Sequence, residues 1–479
     1  MNTENKLPLM KQIQEPARTI PVMAETDVLI VGSGPSGLAA ALAAAREGVS
    51  TMLVERYGSF GGNITQAHVA SIAWYRYEQT VEAGGIGVEF EKRAVEMGAA
   101  QKSDLLEYLD ADTRSYAIEK LASLPNPMPS SPTLDADMFK YVADKMVQEA
   151  GIIPVLHCFV VNVIMEGDTI KGIITESKSG RQAILAKRVI DATGDADIAY
   201  HAGAPYYKAP KDELMEVSMN FGCSGVDIGK FLGHSAQKLS FIRDWAKETS
   251  GKEDGEISSY MVEPFNQATE AGEIPKDVKI ASLWTTVTPF GEVKNLNAID
   301  IPGIDATDVW DLTKAEIEGR QRAIWALNAL RKYKPGFENA VLRTFGSTVG
   351  VRETRRIVGA YNITGHDVRN EARFNDSIGI FPEFLDAYGI VILPTTGRYF
   401  QVPYGICLPQ KVENLLVVGR SVGGDKISHA ATRQTMCCAV TGQGAGVAAA
   451  ISLKNNVTCR EIDVRQVQKA LEKQNVRIK

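Results

Sequence analysis

Two hydrophobic periods alternate along this chain, and the points where one gives way to the other mark its elements. After a polar arm, Asp27–Val31 (DVLIV) is a short apolar run rich in branched side chains, the pattern of a buried parallel strand. A glycine-rich turn leads into an alanine-rich stretch, which predicts a helix from Ser36 to Glu47 stopped by Gly48. Thr51–Val54 (TMLV) is a second strand and closes a βαβ unit on Glu55. Asp135–Gly151 has helical spacing, and Ile152–Val163 returns as a strand. Thr169–Ser177 and Gln182–Ala186 read as strands turning at Lys178–Gly180, and Arg188–Ala192 (RVIDA) as a further buried strand. A last strand, Asn414–Gly419 (NLLVVG), precedes a glycine-rich segment and an alanine-rich helix beginning near Thr441.

This order returns the final strand and helix of the first domain from the far end of the chain. The expected fold is α/β, a Rossmann-like domain with an inserted α+β substrate-binding domain. Residues 1–24 form an N-terminal arm. The first part of the dinucleotide domain spans 25–204, with loops over the ligand at 57–134. The pattern turns irregular over 205–345, the expected substrate or cap domain, and 346–479 completes the first domain.

Composition narrows this reading only at its edges. Hydrophobic residues make up 44% and charged residues 23%, ordinary for a globular enzyme. A net charge of -6 without any dense basic cluster argues against nucleic acid. The six cysteines include no C-x-x-C pair, so neither iron–sulfur ligation nor structural zinc is expected, and no metal site is assigned. Their scatter points to a reducing compartment. The first residues lack the apolar core of a signal peptide, and Cys437–Leu453 falls short of the roughly 20 apolar residues of a spanning helix. The expected location is cytoplasmic, with no membrane span.

The chemistry begins at the first turn. Gly32, Gly34 and Gly37, with Pro35 and Ser36 between them, follow a strand, open a helix and precede an acidic strand end, Glu55. Gly32 allows the tight turn, Gly34 lets backbone approach a pyrophosphate, and Gly37 lets helix and strand pack closely. The phosphates would sit at the helix N-terminus, and Glu55 would accept from the adenosine ribose hydroxyls. Two further features favour FAD over NAD. A glycine-rich loop, Arg56–Asn63, follows Glu55 directly, and the late strand and helix start between Leu415 and Gly446 supply a second helix N-terminus. That dipole would favour the negative charge of a reduced flavin.

With Val31–Gly37 (VGSGPSG), Glu55–Thr65 (ERYGSFGGNIT), Val189–Asp195 (VIDATGD), Gly350–Arg356 (GVRETRR), Asn414–Gly419 and Thr441–Gly446, the chain resembles the FAD-dependent oxidoreductases of the glutathione-reductase-like two-dinucleotide fold. The resemblance runs from Asp27 to Ile478, and narrows to the bacterial FAD-dependent oxidoreductase group. It implies that Glu55 and Arg56 contact the adenosine half and that Gly61, Gly62 and Asn63 line the path toward the flavin. It places Val160 or Val161 against adenine and Thr193, Gly194 and Asp195 near the pyrophosphate. Gly419 and Arg420 stand where relatives often carry Gly-Asp against the ribityl chain, so Arg420 departs from the pattern. Thr441, Gly442, Gln443, Gly444 and Ala445 would form the flavin-contacting helix start. Covalent attachment through His68 or His429 stays open.

A flavin enzyme needs an acid or base where a proton moves with the hydride. Candidates are His68, Tyr75 and Tyr77 after the glycine loop, and His429 and Arg433 before the last helix. His429 and Arg433 are four apart and share a helical face, and Arg433 would suit a substrate carboxylate or carbonyl. The bland alternatives are a backbone-bonded His68 and tyrosines that only pack. Arg352, Arg355 and Arg356 read as a structural cluster paired with Glu353, and Cys437 and Cys438 as buried small residues. No second G-x-G-x-x-G follows a strand, so electrons would pass to a separate acceptor: a quinone, an electron-transfer protein or oxygen. The expected activity is a dehydrogenase or reductase on a small molecule. The alternatives are an NAD(P)H-fed monooxygenase or a non-catalytic flavin-stabilised subunit, and a homo-oligomer stays open.

Overall fold

The computed structural model describes residues 13–479 except 71, 73–75, 78–80, 102–114, 116–132, 238–240, 243–255, 258–261, 289, 388–389 and 393–396. Strand β1 (Val22–Val31) runs parallel to β2 (Thr51–Val54), which is followed outward by β3 (Ile153–Val155). On its other side β1 pairs in parallel with β6 (Gly180–Asp191), and β5 (Thr169–Ser177) and β4 (Phe159–Glu166) extend the sheet antiparallel. Successive side chains of β1 enter opposite cores. Val28 and Ile30 pack with helix α1 (Pro35–Arg46), while Leu29 and Val31 pack with Met52, Val54 and Val189. Burial on both faces is why Val28–Val31 reads as one unbroken apolar run.

The two strands expected over Gln182–Ala186 and Arg188–Ala192 are one strand, β6. It changes partner instead of breaking. Gly180–Leu185 lies against β5, and Val189–Asp191 lies parallel to the late strand Leu415–Val417. Lys187 at the crossover bonds Asp27 at 2.7 Å. Conversely, the strand expected over Ile152–Val163 is divided into β3 and β4, with His157 between them at φ 54. Helix α2 (Ala136–Glu149) starts one residue later than expected because Asp135 is its N-cap, accepting from the N–H groups of Asp137 and Met138 at 3.0 Å.

A second core lies between Val217 and Val349. Its antiparallel sheet is built on a central strand that pairs on one side with β7 (Val217–Ser218) and β8 (Phe221–Ser224), and on the other with β9 (Ile280–Val287). That central strand is β10 (Val293–Ile301), and β11 (Val341–Phe345) pairs with β8. Helix α3 (Val309–Tyr333), capped by Asp308, lays Ala315, Ala323, Ala326 and Leu330 on this core.

The chain then returns to the first domain. Short helix α4 (Lys426–Thr432) precedes α5 (Thr435–Lys454). Helix α5 is long and apolar enough to cross a membrane, yet it is buried almost throughout its length against α1 and the strand Ser377–Pro382, as a core helix is. The approach of α5 to α1 is backbone on backbone. A Cβ on Gly442 would lie 2.0 Å from the Ser36 carbonyl oxygen, and one on Gly446 would lie 2.3 Å from that of Ala40.

Candidate active site

One cavity of about 650 Å³ runs from the carboxyl ends of β1, β2 and β6 to the inner wall of the second core. Its first end is the turn before α1. Gly32 adopts φ 95, and a Cβ there would sit 2.4 Å from the Ala192 carbonyl oxygen. Gly62, at φ 54, lies so close to Gly34 that its Cβ would meet the Gly34 Cα at 2.6 Å. The loop after Glu55 is thus stacked on the first turn. Helix α1 has neither a side-chain cap nor an acidic residue in its first turn, which leaves its N-terminal N–H groups available to an anion.

Glu55 is buried beside this turn. Its Oε2 accepts from the Ser33 N–H at 2.9 Å and the Ser33 hydroxyl at 2.6 Å, and Oε1 accepts from the Tyr57 N–H at 3.0 Å. These bonds fix the carboxylate and leave Oε1 a lone pair for a ribose hydroxyl. Asp191, at the end of β6, accepts from the N–H and hydroxyl of Thr193 and from the Ala199 N–H, and so shapes the turn at Thr193–Asp195. Burial pushes its carboxyl up to about 6 despite those bonds. Arg420 braces the same turn, donating through Nε to Gly194 O at 2.7 Å and through Nη2 to Asp195 at 2.6 Å. Its Nη1 donates to Val351 O at 2.5 Å. Arg420 is therefore a strut between two loops, where a ribityl-binding acid was the family pattern.

The structure separates the residues singled out from sequence. Gly32, Gly34, Pro35, Ser36, Glu55 and Arg56 line the cavity. So do Gly62, Asn63, Thr193, Gly194, Asp195 and Arg420. Val160 reaches it and Val161 does not, as expected of neighbours on one strand. Gly37 and Gly61 lie behind the lining. Gly419 also lies behind it, at φ 76, its N–H donating to Thr441 Oγ1 at 3.0 Å.

The last helix begins at Thr435, not near Thr441, and this moves its contacts. Gln434, Thr435 and Cys438 line the cavity, whereas Thr441, Gly442, Gln443, Gly444 and Ala445 are interior turns that do not. Gln443 instead accepts from the Ile86 N–H at 2.8 Å. The glycines expected at the helix start serve instead the close crossing with α1. All six cysteines are free and buried, and burial pushes the Cys438 thiol up to about 12.

At this far end His68 and Arg433 line the cavity, and His429 does not. His68 sits at φ 54, and burial lowers its imidazole below the ordinary histidine range. Arg433 caps the C-terminus of α4 and donates through Nη2 to the backbone oxygen and the carboxylate of Asp386. The buried His429 ring instead points under the site, its Nε2 3.1 Å from Arg352 O. Burial, with the Arg356 and Arg433 charges, holds it well below the usual histidine range, so Nε2–H is the donor in a neutral ring. Tyr75 lies outside the described residues. The arginines of GVRETRR divide. Arg352 lines the cavity, whereas Arg355 bonds Asp197 at 2.9 Å and Arg356 pairs with Glu353 at 3.4 Å. Sequence reasoning missed Ser33, Gln66, Cys438 and the second-core residues Asn220, Asn295, Asn297 and Glu316, all on the lining.

A sequence profile described as FAD dependent oxidoreductase matches residues 27–471. A thiamine thiazole synthase of Methanococcus vannielii is 33% identical over 183 residues, covering 36% of this chain and 58% of that protein. The tRNA uridine 5-carboxymethylaminomethyl modification enzyme MnmG of Alkaliphilus oremlandii is 27% identical over 263 residues, covering 52% of this chain and 37% of that enzyme. The chain thus spans less than two thirds of the length of these two relatives. Among solved structures, the L-proline dehydrogenase of P. horikoshii is 13% identical with a TM-score of 0.39, covering 96% of this chain and 100% of that one.

Proposed function

The chain belongs to the FAD-dependent oxidoreductase family, and we propose that it is a dehydrogenase acting on a small organic substrate and passing the electrons to a separate acceptor. FAD is its cofactor, and when bound it supplies the hydride chemistry at flavin N5. The chain's own residues fit that ligand. Glu55 would take the adenosine ribose, the N-terminus of α1 the pyrophosphate, and the N-terminus of α5 the far end, where its dipole favours negative charge.

One observation carries the reading: the dinucleotide turn and the wall of the second core share a single cavity that also holds His68 and Arg433. Burial keeps the His68 ring neutral near pH 7, so it can take a proton from substrate. Arg433 offers a charged donor edge to a carboxylate or carbonyl. The antiparallel extension β4–β6 beside the parallel strands supports a glutathione-reductase type of fold, and the second core supports residues 205–345 as the substrate domain. Six free cysteines support a cytoplasmic location. A quinone, an electron-transfer protein or oxygen would take the electrons.

Anaerobic titration of the purified flavoprotein with small acids, alcohols, ketones and amines tests this. At least one class should bleach the flavin. Rapid bleaching by NADPH alone, with oxygen incorporated into product in air, would replace the dehydrogenase with a monooxygenase.

A further inference from the structure

The cavity wall built by the second core sets polar side chains among apolar ones such as Leu312 and Val349. Asn295 and Asn297 come from β10, Asn220 from the residue before β8, and Ser218 from β7. Pairing of Phe221 with Leu296 brings the β8 and β10 residues side by side. Asn220 donates through Nδ2 to His68 O at 3.0 Å, so this wall is tied to the loop that carries His68. Asn220 Oδ1 and Asn295 Nδ2 are buried and find no partner among the described residues. One is an acceptor and the other a donor, and the bond to His68 O fixes Oδ1 as the free end of the Asn220 amide.

Two cations face the same space. Arg433 commits Nη2 to Asp386, and Arg352 commits Nη1 to Glu216 O and to Asp300, each at 2.8 Å. Neither Nη1 of Arg433 nor Nη2 of Arg352 has a bond within the described residues, and both residues line the cavity.

We propose that the substrate is a small hydroxylated carboxylic acid, its carboxylate held by Arg433 and Arg352 and its hydroxyls by Asn220, Asn295 and Asn297. The inference rests on the reading of this cavity as a dehydrogenase site. A planar guanidinium edge matches a carboxylate in geometry as well as charge. A primary amide presents a donor and an acceptor, and a hydroxyl is the small group that answers both. An aromatic or aliphatic substrate would leave Asn220 Oδ1 and Asn295 Nδ2 unpaired, a mismatch that such sites reject strongly.

The test is equilibrium binding to the FAD-loaded protein, read as a perturbation of the flavin spectrum, with gluconate, sorbitol and hexanoate. Gluconate should bind at least about tenfold more tightly than the uncharged polyol and the apolar acid, as expected where hydrogen bonds and charge both count. Asn297→Leu should weaken gluconate by roughly tenfold and leave hexanoate no weaker. Hexanoate or sorbitol binding as tightly as gluconate, or none of the three binding, overturns the substrate class. The three-ligand comparison on the unaltered protein decides this even where the variant fails to fold. The two readings fail separately. Hydroxy acids that bind without ever bleaching the flavin overturn the dehydrogenase and leave the class standing. Bleaching by an apolar compound, with hydroxy acids inert, does the reverse.

Discussion

His68 is held in a left-handed backbone conformation on the cavity lining, and its lowered pKa is useful only to a group that works neutral. A base in that state loses function as pH falls through its folded pKa. The acid limb of flavin reduction should therefore lie below the ordinary histidine value of about 6.5. His68→Gln should remove that limb and slow reduction by about 10²- to 10⁴-fold, measured as a stopped-flow pH profile. The neighbouring histidine shows where residue-level reading ends. A spacing of four puts His429 and Arg433 on one face of any helix, but it does not say how the helix is rotated against its surroundings. Helix α4 stops at Thr432, so Arg433 swings into the cavity as a cap while His429 points under it to Arg352. The glycine turn was legible because everything it needs, from β1 to Glu55, lies within one local unit.

At the scale of elements, the α1–α5 crossing sets the position of the N-terminus of α5. Glycine-rich sequence signals either a turn or a close approach, and the hydrophobic pattern around Thr441 does not tell them apart. Only the packing partner does. Gly446→Ala would drive a methyl into the Ala40 carbonyl, and a cost of about 1–3 kcal/mol is expected, read as a lower urea midpoint with unchanged slope. The asparagine wall was illegible for a related reason. Asn220 lies more than seventy residues before Asn295 and Asn297 in the chain, and only the antiparallel pairing of β8 with β10 assembles them. A strand that changes partner, as β6 does, likewise reads as two strands because its polar Lys187 marks the change of neighbour.

For the whole molecule, two cores share one cavity, so a ligand filling it bonds to both at once. Anything that binds only the folded chain stabilises it by mass action, about 4 kcal/mol at a free concentration 1,000 times Kd. Removing FAD should lower Tm, and adding it back should raise Tm linearly with the logarithm of its concentration. A Tm indifferent to FAD would mean that the cavity is not where the flavin sits.

The shared strand β6 also imposes an order of events on synthesis. When the first domain's opening segment leaves the ribosome, the Val189–Asp191 edge of β6 has no neighbour, and the alanine face of α1 has no cover. Both gaps close only after the second core has been made and Leu415–Val417 and Thr435–Lys454 have followed it. Through that interval the nascent chain carries a bare strand edge and an unsheltered apolar face, the two features that draw chains into aggregates. Much of the protein's exposure to chaperones is thus set by where in the gene its last strand is written.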